Sequence, residues 1–443
     1  MIKTQKIRTF FPAINSGRTV SNNAASTQIP IQLLGLLKDL SVQYENVHRG
    51  QSHASVLTTE KFEASYDTIA QFIGAPSKRN IVLYRNATEA VNSVMYSLMT
   101  EFRDGDNVVT TYMEHNSNYV PWYAMCNEIL VKFGVNVGLR IAKFNKETGD
   151  LDLAHLKSLV DERTKLVCCT GASNFLGTKN PIDKIREIAY ASGYMQPGGE
   201  KRSYLLIDGA QMAPNMFINV KKLDIDFFAW SFHKMLAPFG VGALYAREEI
   251  LERIRPFLYG GDMIAEGKVS PEKVEYNTLP WKFTAGTPNI LGTILSAQAL
   301  RLLLDFALTP GQYKYFMTDK KLEPSDIKNA MSNIEHHETI LMEEALKLLG
   351  RIPSIKIYGP KDADQRTCLV AFTCEHKNPF EIAEALAKLG IESRAGCHCA
   401  TLAHHFFELN PPASCRLSFY IYNNIEDVKR ACDAVSLICK EKS

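Results

Sequence analysis

Between Asn80 and Tyr245 short apolar runs alternate with helical patterns, and no other feature restricts the fold so strongly. Ile81-Val82-Leu83, Val108-Val109, Leu166-Val167-Cys168, Leu205-Leu206-Ile207, Phe227-Phe228-Ala229 and Gly242-Ala243-Leu244 read as buried strands. Amphipathic runs lie between them. From Thr88 to Leu98, for example, Val91, Val94, Met95 and Leu98 fall on one helical face. Strands that alternate with helices predict an α/β domain built on a largely parallel sheet.

After Thr284-Ala285-Gly286-Thr287-Pro288-Asn289 the character changes. A long helical stretch follows, interrupted near Pro310 to Pro324, then a helix around Glu335 to Leu349 and a smaller α+β section. The expected division is a large domain over residues 31–300 and a small domain from 1–30 and 301–443. At 443 residues the chain has room for both. A polar surface loop is expected over Gln196 to Lys201.

Composition narrows the partners. With 46% hydrophobic and 22% charged residues the chain reads as an ordinary globular protein with a large core. A formal net charge of +2 gives no reason to expect a nucleic-acid or anionic-membrane partner. No run approaches ~18 uninterrupted apolar residues, so no membrane span is expected. Lys3, Lys6, Arg8 and Arg18 precede the first acidic residue, Asp39, but no apolar leader follows them. The 10 scattered cysteines then read as reduced thiols of a cytoplasmic protein.

The chemistry is concentrated where strands end. Ser231-Phe232-His233-Lys234 follows the strand at Asp226 to Trp230, and open α/β sheets bind ligands beyond such ends. Alone, Lys234 would read as a solvated surface residue. Asp208, followed by Gly209-Ala210-Gln211, closes another strand. A carboxylate there can pair with a protonated pyridine nitrogen, or can serve as a helix cap or metal ligand. In Arg85-Asn86-Ala87-Thr88-Glu89-Ala90 a strand leads into a helix whose first amides can hold a phosphate, while Thr88 can also simply cap the helix. Ser231 and His233 can add phosphate donors. His115, in Glu114-His115-Asn116-Ser117-Asn118, can stack on an aromatic ring and move protons. Asn174, in Ser173-Asn174-Phe175-Leu176-Gly177-Thr178, can donate to a phenolic oxygen.

Each motif is weak alone. The ordered set of phosphate donors, stacking His, Asn, Asp and Lys resembles the fold-type I pyridoxal-5′-phosphate (PLP) enzymes of the class V aminotransferase group, from about Val20 to Val435. That resemblance implies a large domain with a mostly parallel seven-stranded sheet and a smaller α+β domain. It implies that Lys234 carries PLP, with Ala87, Thr88, His115, Asn174, Asp208, Gln211, Ser231, His233 and Thr287 around it. Thr287 would reach the phosphate of a neighbouring subunit, since the group's sites form in homodimers.

Asn46-Val47-His48-Arg49-Gly50, Pro121-Trp122, Ala285-Gly286-Thr287-Pro288-Asn289 and above all Arg394-Ala395-Gly396-Cys397-His398-Cys399-Ala400 resemble the group II cysteine desulfurases, close to selenocysteine lyases. In that group the last cysteine of the loop, here Cys399, takes sulfur from the substrate. The arginine of Cys415-Arg416-Leu417-Ser418 holds the substrate carboxylate, an apt task for a bidentate guanidinium. The implied reaction converts L-cysteine, or L-selenocysteine, to L-alanine, with a sulfur-acceptor protein as partner. A C–S lyase in which Cys399 is dispensable, and a non-catalytic assembly subunit, are the alternatives. The chain departs from the pattern at Asn22, often Asp, at Phe232, usually small, at Cys397, commonly His, and in an apparent insertion near residues 310–328. A Gly-Cys-x-Cys loop is also similar to that of molybdenum-cofactor sulfurases. Zinc usually needs two well-separated ligand pairs, so Cys397, His398, Cys399, His404 and His405 are not read as a metal site. Cys168-Cys169 reads as core.

Overall fold

The computed structural model describes residues 2–440. Seven strands form one sheet: β1 (Ile81–Tyr84), β2 (Asn107–Thr111), β3 (Gly138–Ala142), β4 (Thr164–Thr170), β5 (Tyr204–Asp208), β6 (Phe227–Ser231) and β7 (Gly242–Ala246). Their spatial order is β1-β7-β6-β5-β4-β2-β3. Only β7 runs against its neighbours. Two successive reversals leave β1 parallel to β6, so six strands end on the same edge. Every strand-end motif singled out in the sequence therefore meets along that edge.

Six of these strands are apolar runs in the sequence. The seventh, β3, is not, because it lies at the edge with only Ala142 fully buried. A strand with one free side has no need of a continuous apolar run.

Side chains alternate across the sheet and fill two cores. Val109, Val167, Leu205, Ile207, Phe228 and Trp230 point to one. Val108, Leu166, Leu206, Phe227 and Ala229 point to the other. The first is covered by His53–Phe72, Ile182–Tyr190 and Ile290–Leu308, the second by Ala87–Met99 and Glu248–Arg253. Cys168 and Cys169 fall one in each core, fully buried, and burial pushes both thiols far up.

Helix Ile290–Leu308 is long and apolar enough to cross a membrane by length and composition. Here nearly all of it is buried inside the protein, and it runs unbroken through residue 300. The helix expected around Glu335 begins earlier, at Pro324, and continues to Leu349. Pro324 is its first residue, where the missing N–H costs nothing. The segment before it is ordered by the preceding helix. Asp305 accepts from the amides of Lys314, Tyr315 and Phe316 at 2.8–3.1 Å. Arg301 donates to the carbonyls of Tyr315, Thr318 and Lys320.

A hairpin follows the large sheet, β8 (Ile264–Val269) with β9 (Val274–Tyr276). The C-terminal part builds an antiparallel sheet from β10 (Ile355–Tyr358), β11 (Leu369–Cys374), β12 (Arg394–Gly396) and β13 (Ser414–Ser418), in the order β10-β11-β13-β12. Its own apolar core lies under helices Pro324–Leu349 and Ile425–Lys440. The N-terminal segment joins this unit. Thr19 bridges Ile391, Asn22 bridges Ser418, and Arg8 pairs with Asp427 at 2.5 Å.

Candidate active site

A cavity of about 240 Å³ opens at the carboxyl edge of the large sheet. Ala87, Thr88, His115, Asn174, Asp208, Gln211, Ser231, His233, Lys234 and Arg416 all line it, as do Ser117, Thr170 and Arg394. Thr287 does not; it is exposed and outside this cavity. Cys399 is joined to the cavity through Arg394, whose Nη2 lies 3.3 Å from its Sγ.

Lys234 stands in a single helical turn just past β6. Burial lowers its pKa to about 8, against the opposing pull of Asp208. A protonated amine is thus easily made neutral here. Phe232, the large residue beside it, turns away from the cavity into the core against Trp230.

Asp208 is the last residue of β5 and is 2% exposed. Its hydrogen bond comes from the amide of Ala210 at 2.9 Å. Burial raises its pKa, while that amide and Lys234 pull the other way. A cationic ring nitrogen placed against this carboxylate would favour its charged form.

At the start of helix Ala87–Met99 the amide of Ala87 donates to Ser231 Oγ at 2.8 Å. Asn86 caps the helix through the amide of Glu89. Capping therefore belongs to Asn86, and Thr88 is left facing the cavity. The positive end of this helix, the hydroxyls of Thr88 and Ser231 and the ring of His233 together suit a phosphate. Burial keeps His233 neutral, with a pKa near 4.

His115 Nδ1 accepts from the amide of Ser117 at 3.1 Å, so the neutral ring carries its proton on Nε2. Burial, then Lys234, Arg394 and Arg416, lowers its pKa to about 3. Behind it Glu114 is fully buried and accepts from Thr111, Asn118 and the amide of Thr170. Burial outweighs those bonds and lifts its pKa to about 8.

The small domain supplies the rest. Arg416, on β13, is 1% exposed. Its Nη1 donates to the carbonyl of Asn174 at 2.7 Å, Nη2 lies 3.5 Å from Asn22 Oδ1, and Nε has no partner. Among the described residues no carboxylate pairs with it. A buried guanidinium with spare donors is made for an anion that comes and goes.

Cys397-His398-Cys399-Ala400 is a tight turn closed by the Ala400 amide on the Cys397 carbonyl at 2.7 Å. His398 and Cys399 hold φ of 53° and 57°, a left-handed pair that costs about 1–2 kcal/mol per non-glycine residue. Outside contacts keep it in place. The amide of Asn116 donates to the Cys399 carbonyl, and Asn174 Nδ2 to that of His398, each at 2.6 Å. Asn174, expected to meet a phenolic oxygen, thus also holds the cysteine turn and the arginine.

A chain of side chains buttresses the same turn. His404 Nδ1 can only donate to the Ala400 carbonyl, at 2.9 Å, so Nε2 accepts from Ser414 at 3.0 Å. The Ser414 oxygen then accepts from His398 Nε2 at 2.9 Å, and His398 Nδ1 is left as a buried acceptor with no partner. His405 is exposed. Neither this relay nor the role of Arg394 has a local sequence signal, because both arise from the pairing of β12 with β13.

The profile of the Aminotransferase class-V family matches residues 20–314 and 326–431. The chain belongs to the class V aminotransferase family. Within it the chain falls in the cysteine desulfurase group. A cysteine desulfurase of Haloferax volcanii is 36% identical, over 94% of this chain and 88% of its own length. The apo structure of a cysteine desulfurase from Thermococcus onnurineus NA1 superposes with a TM-score of 0.85 at 28% identity, covering 99% of this chain and 98% of that one. An S-sulfonic acid form of an Escherichia coli cysteine desulfurase gives 0.82 at 27%, covering 99% of both chains. Pyridoxal phosphate is the cofactor expected throughout this family. The family profile leaves residues 315–325 unmatched, within the segment read from the sequence as an insertion.

Proposed function

We propose that this desulfurase converts L-cysteine to L-alanine and takes the sulfur onto Cys399 as a persulfide for delivery to an acceptor protein. The reading rests on one observation: Arg394 lines the cavity of Lys234 and also donates to Cys399 Sγ at 3.3 Å. A thiol is thereby tied to a lysine and an acid suited to PLP.

Lys234 would hold PLP through its amine, with Asp208 at the pyridine nitrogen and His115 on the ring face. Ala87, Thr88, Ser231 and His233 would take the phosphate, Asn174 and Gln211 the remaining polar edge, and Thr287 would act in the site of a second copy in a homodimer. Bound there, PLP supplies an electron sink for the charge that develops at the substrate Cα.

Arg416 receives the substrate carboxylate with donors that no protein carboxylate occupies. Lys234, poised near pH 8, removes the Cα proton once its amine is free. His115, neutral with its proton on Nε2, can donate there and take the proton back. Arg394 holds the Cys399 sulfur beside the cavity, from where it attacks the substrate sulfur. The two held carbonyls of the turn fix the direction of attack.

The decisive experiment is incubation of the PLP-loaded protein with L-cysteine, with alanine quantified and the protein mass measured. Alanine together with one extra sulfur on Cys399, both lost in Cys399→Ala, is the expected result. Pyruvate and free sulfide at equal rates in both proteins would instead identify a C–S lyase.

A further inference from the structure

Seven of the ten cysteines are buried, and three are half-buried: Cys374, Cys397 and Cys399. Two of those three share one turn, at its first and third positions. A different donor reaches each sulfur. Arg394 Nη2 donates to Cys399 Sγ at 3.3 Å, from the cavity wall. Thr401 Oγ1 lies 3.5 Å from Cys397 Sγ, and its oxygen accepts from Asn116 Nδ2 at 3.3 Å. With its oxygen engaged by the amide, the hydroxyl directs its proton at the sulfur. Each sulfur thus has a hydrogen-bond donor at hand, and in sulfur exchange one sulfur attacks while another leaves.

The two thiols face different surroundings. Cys399 belongs to the cavity through Arg394. Cys397 follows Gly396, where any side chain would meet the ring of Phe380 at 3.8 Å. That ring is 54% exposed, so an apolar surface lies next to the residue that precedes Cys397.

On the desulfurase reading, we propose that Cys397 is a second sulfur-carrying site, loaded from Cys399, from which an acceptor protein draws. The Cys397 thiolate attacks the terminal sulfur of the Cys399 persulfide. A bond forms between Cys397 Sγ and that sulfur, and the bond from it to Cys399 Sγ breaks. The proton of the persulfide stays on the terminal sulfur, and Cys399 leaves as a thiolate beside Arg394. One S–S bond replaces another, so no oxidant or reductant is consumed. Cys399 is then free to take a second sulfur before the first has left the protein.

The test is a rapid burst of alanine from PLP-loaded protein and L-cysteine, without reductant or acceptor. Sulfur is trapped by alkylation and placed by fragment mass spectrometry, which separates Cys397 from Cys399 within one peptide. The expected result is two alanines per chain in the wild type, with sulfur on both residues, and one in Cys397→Ser, with sulfur on Cys399. Sulfur confined to Cys399 in the wild type, whatever the burst size, overturns the proposal and leaves the desulfurase reading intact. A wild type with no burst and no protein-bound sulfur overturns the desulfurase reading itself.

Discussion

Arg394 and Arg416 are direct partners across β12 and β13, two guanidiniums side by side with no carboxylate paired to either among the described residues. Folding has placed Arg416 beside a like charge at a position where burial penalises its own. Such a cost is retained for binding rather than for stability. Arg416→Met should therefore leave the thermal midpoint unchanged or raise it. The same change should raise KM for cysteine steeply, since loss of a buried charge-assisted contact costs about 2–5 kcal/mol. PLP absorbance should persist. Melting curves and steady-state kinetics on one preparation check both halves, and a lowered midpoint with normal KM would move the carboxylate anchor elsewhere.

Lys234 gives a prediction with a definite sign. Its amine is charged below a pKa of about 8 and neutral above it. Only the neutral amine can attack an aldehyde. The rate at which apoprotein takes up PLP should climb about tenfold per pH unit up to that point and level off above it. Stopped-flow absorbance from pH 6 to 10 measures this. A plateau that begins only near pH 10.5 would mean that burial does not govern the amine. Lys234→Ala should show no such phase at any pH.

His115 should contribute no titration in the neutral range. Burial and three neighbouring cations keep its pKa near 3, against about 6.5 for a free imidazole. Its ring signals in an NMR titration should stay constant from pH 5 to 9. A midpoint near 6.5 for His115 would show a hydrated ring and a different proton carrier.

The sequence exposes the large-domain half of the site far better than the small-domain half. Lys234, Asp208, Asn174, His115 and Thr88 each follow an apolar run at short range, so strand periodicity locates them. The shared direction of their strands then brings them together. Cys399 and Arg416 are legible only through resemblance, since nothing local distinguishes them from other cysteines and arginines. The two attachments of Asn174 and the Ser414 relay depend on contacts between distant segments. Edge strand β3 escapes for a different reason, being too exposed to need an apolar run.

The relay through Ser414 leads to a last prediction, which separates holding the nucleophile from binding the substrate. His404 stacks on Phe175 at 3.9 Å and bonds to both Ala400 and Ser414. His404→Phe keeps the stack and most of the volume but removes both bonds. Ser414 then either leaves its proton without an acceptor or gives it to His398 Nε2, which forces a proton onto the partnerless Nδ1 of that ring. Each outcome leaves a buried polar atom unsatisfied, at about 1–3 kcal/mol. That loss falls on the turn that presents Cys399, and spares Lys234, Asp208 and Arg416. PLP absorbance and cysteine affinity should therefore match the wild type, while the single-turnover rate of persulfide formation falls about tenfold, equivalent to roughly 1.4 kcal/mol. His404→Gln should restore much of it, because an amide can donate to Ala400 and accept from Ser414 at once. Equal persulfide rates in wild type and His404→Phe would show that the relay stabilises the fold without aiming the thiol.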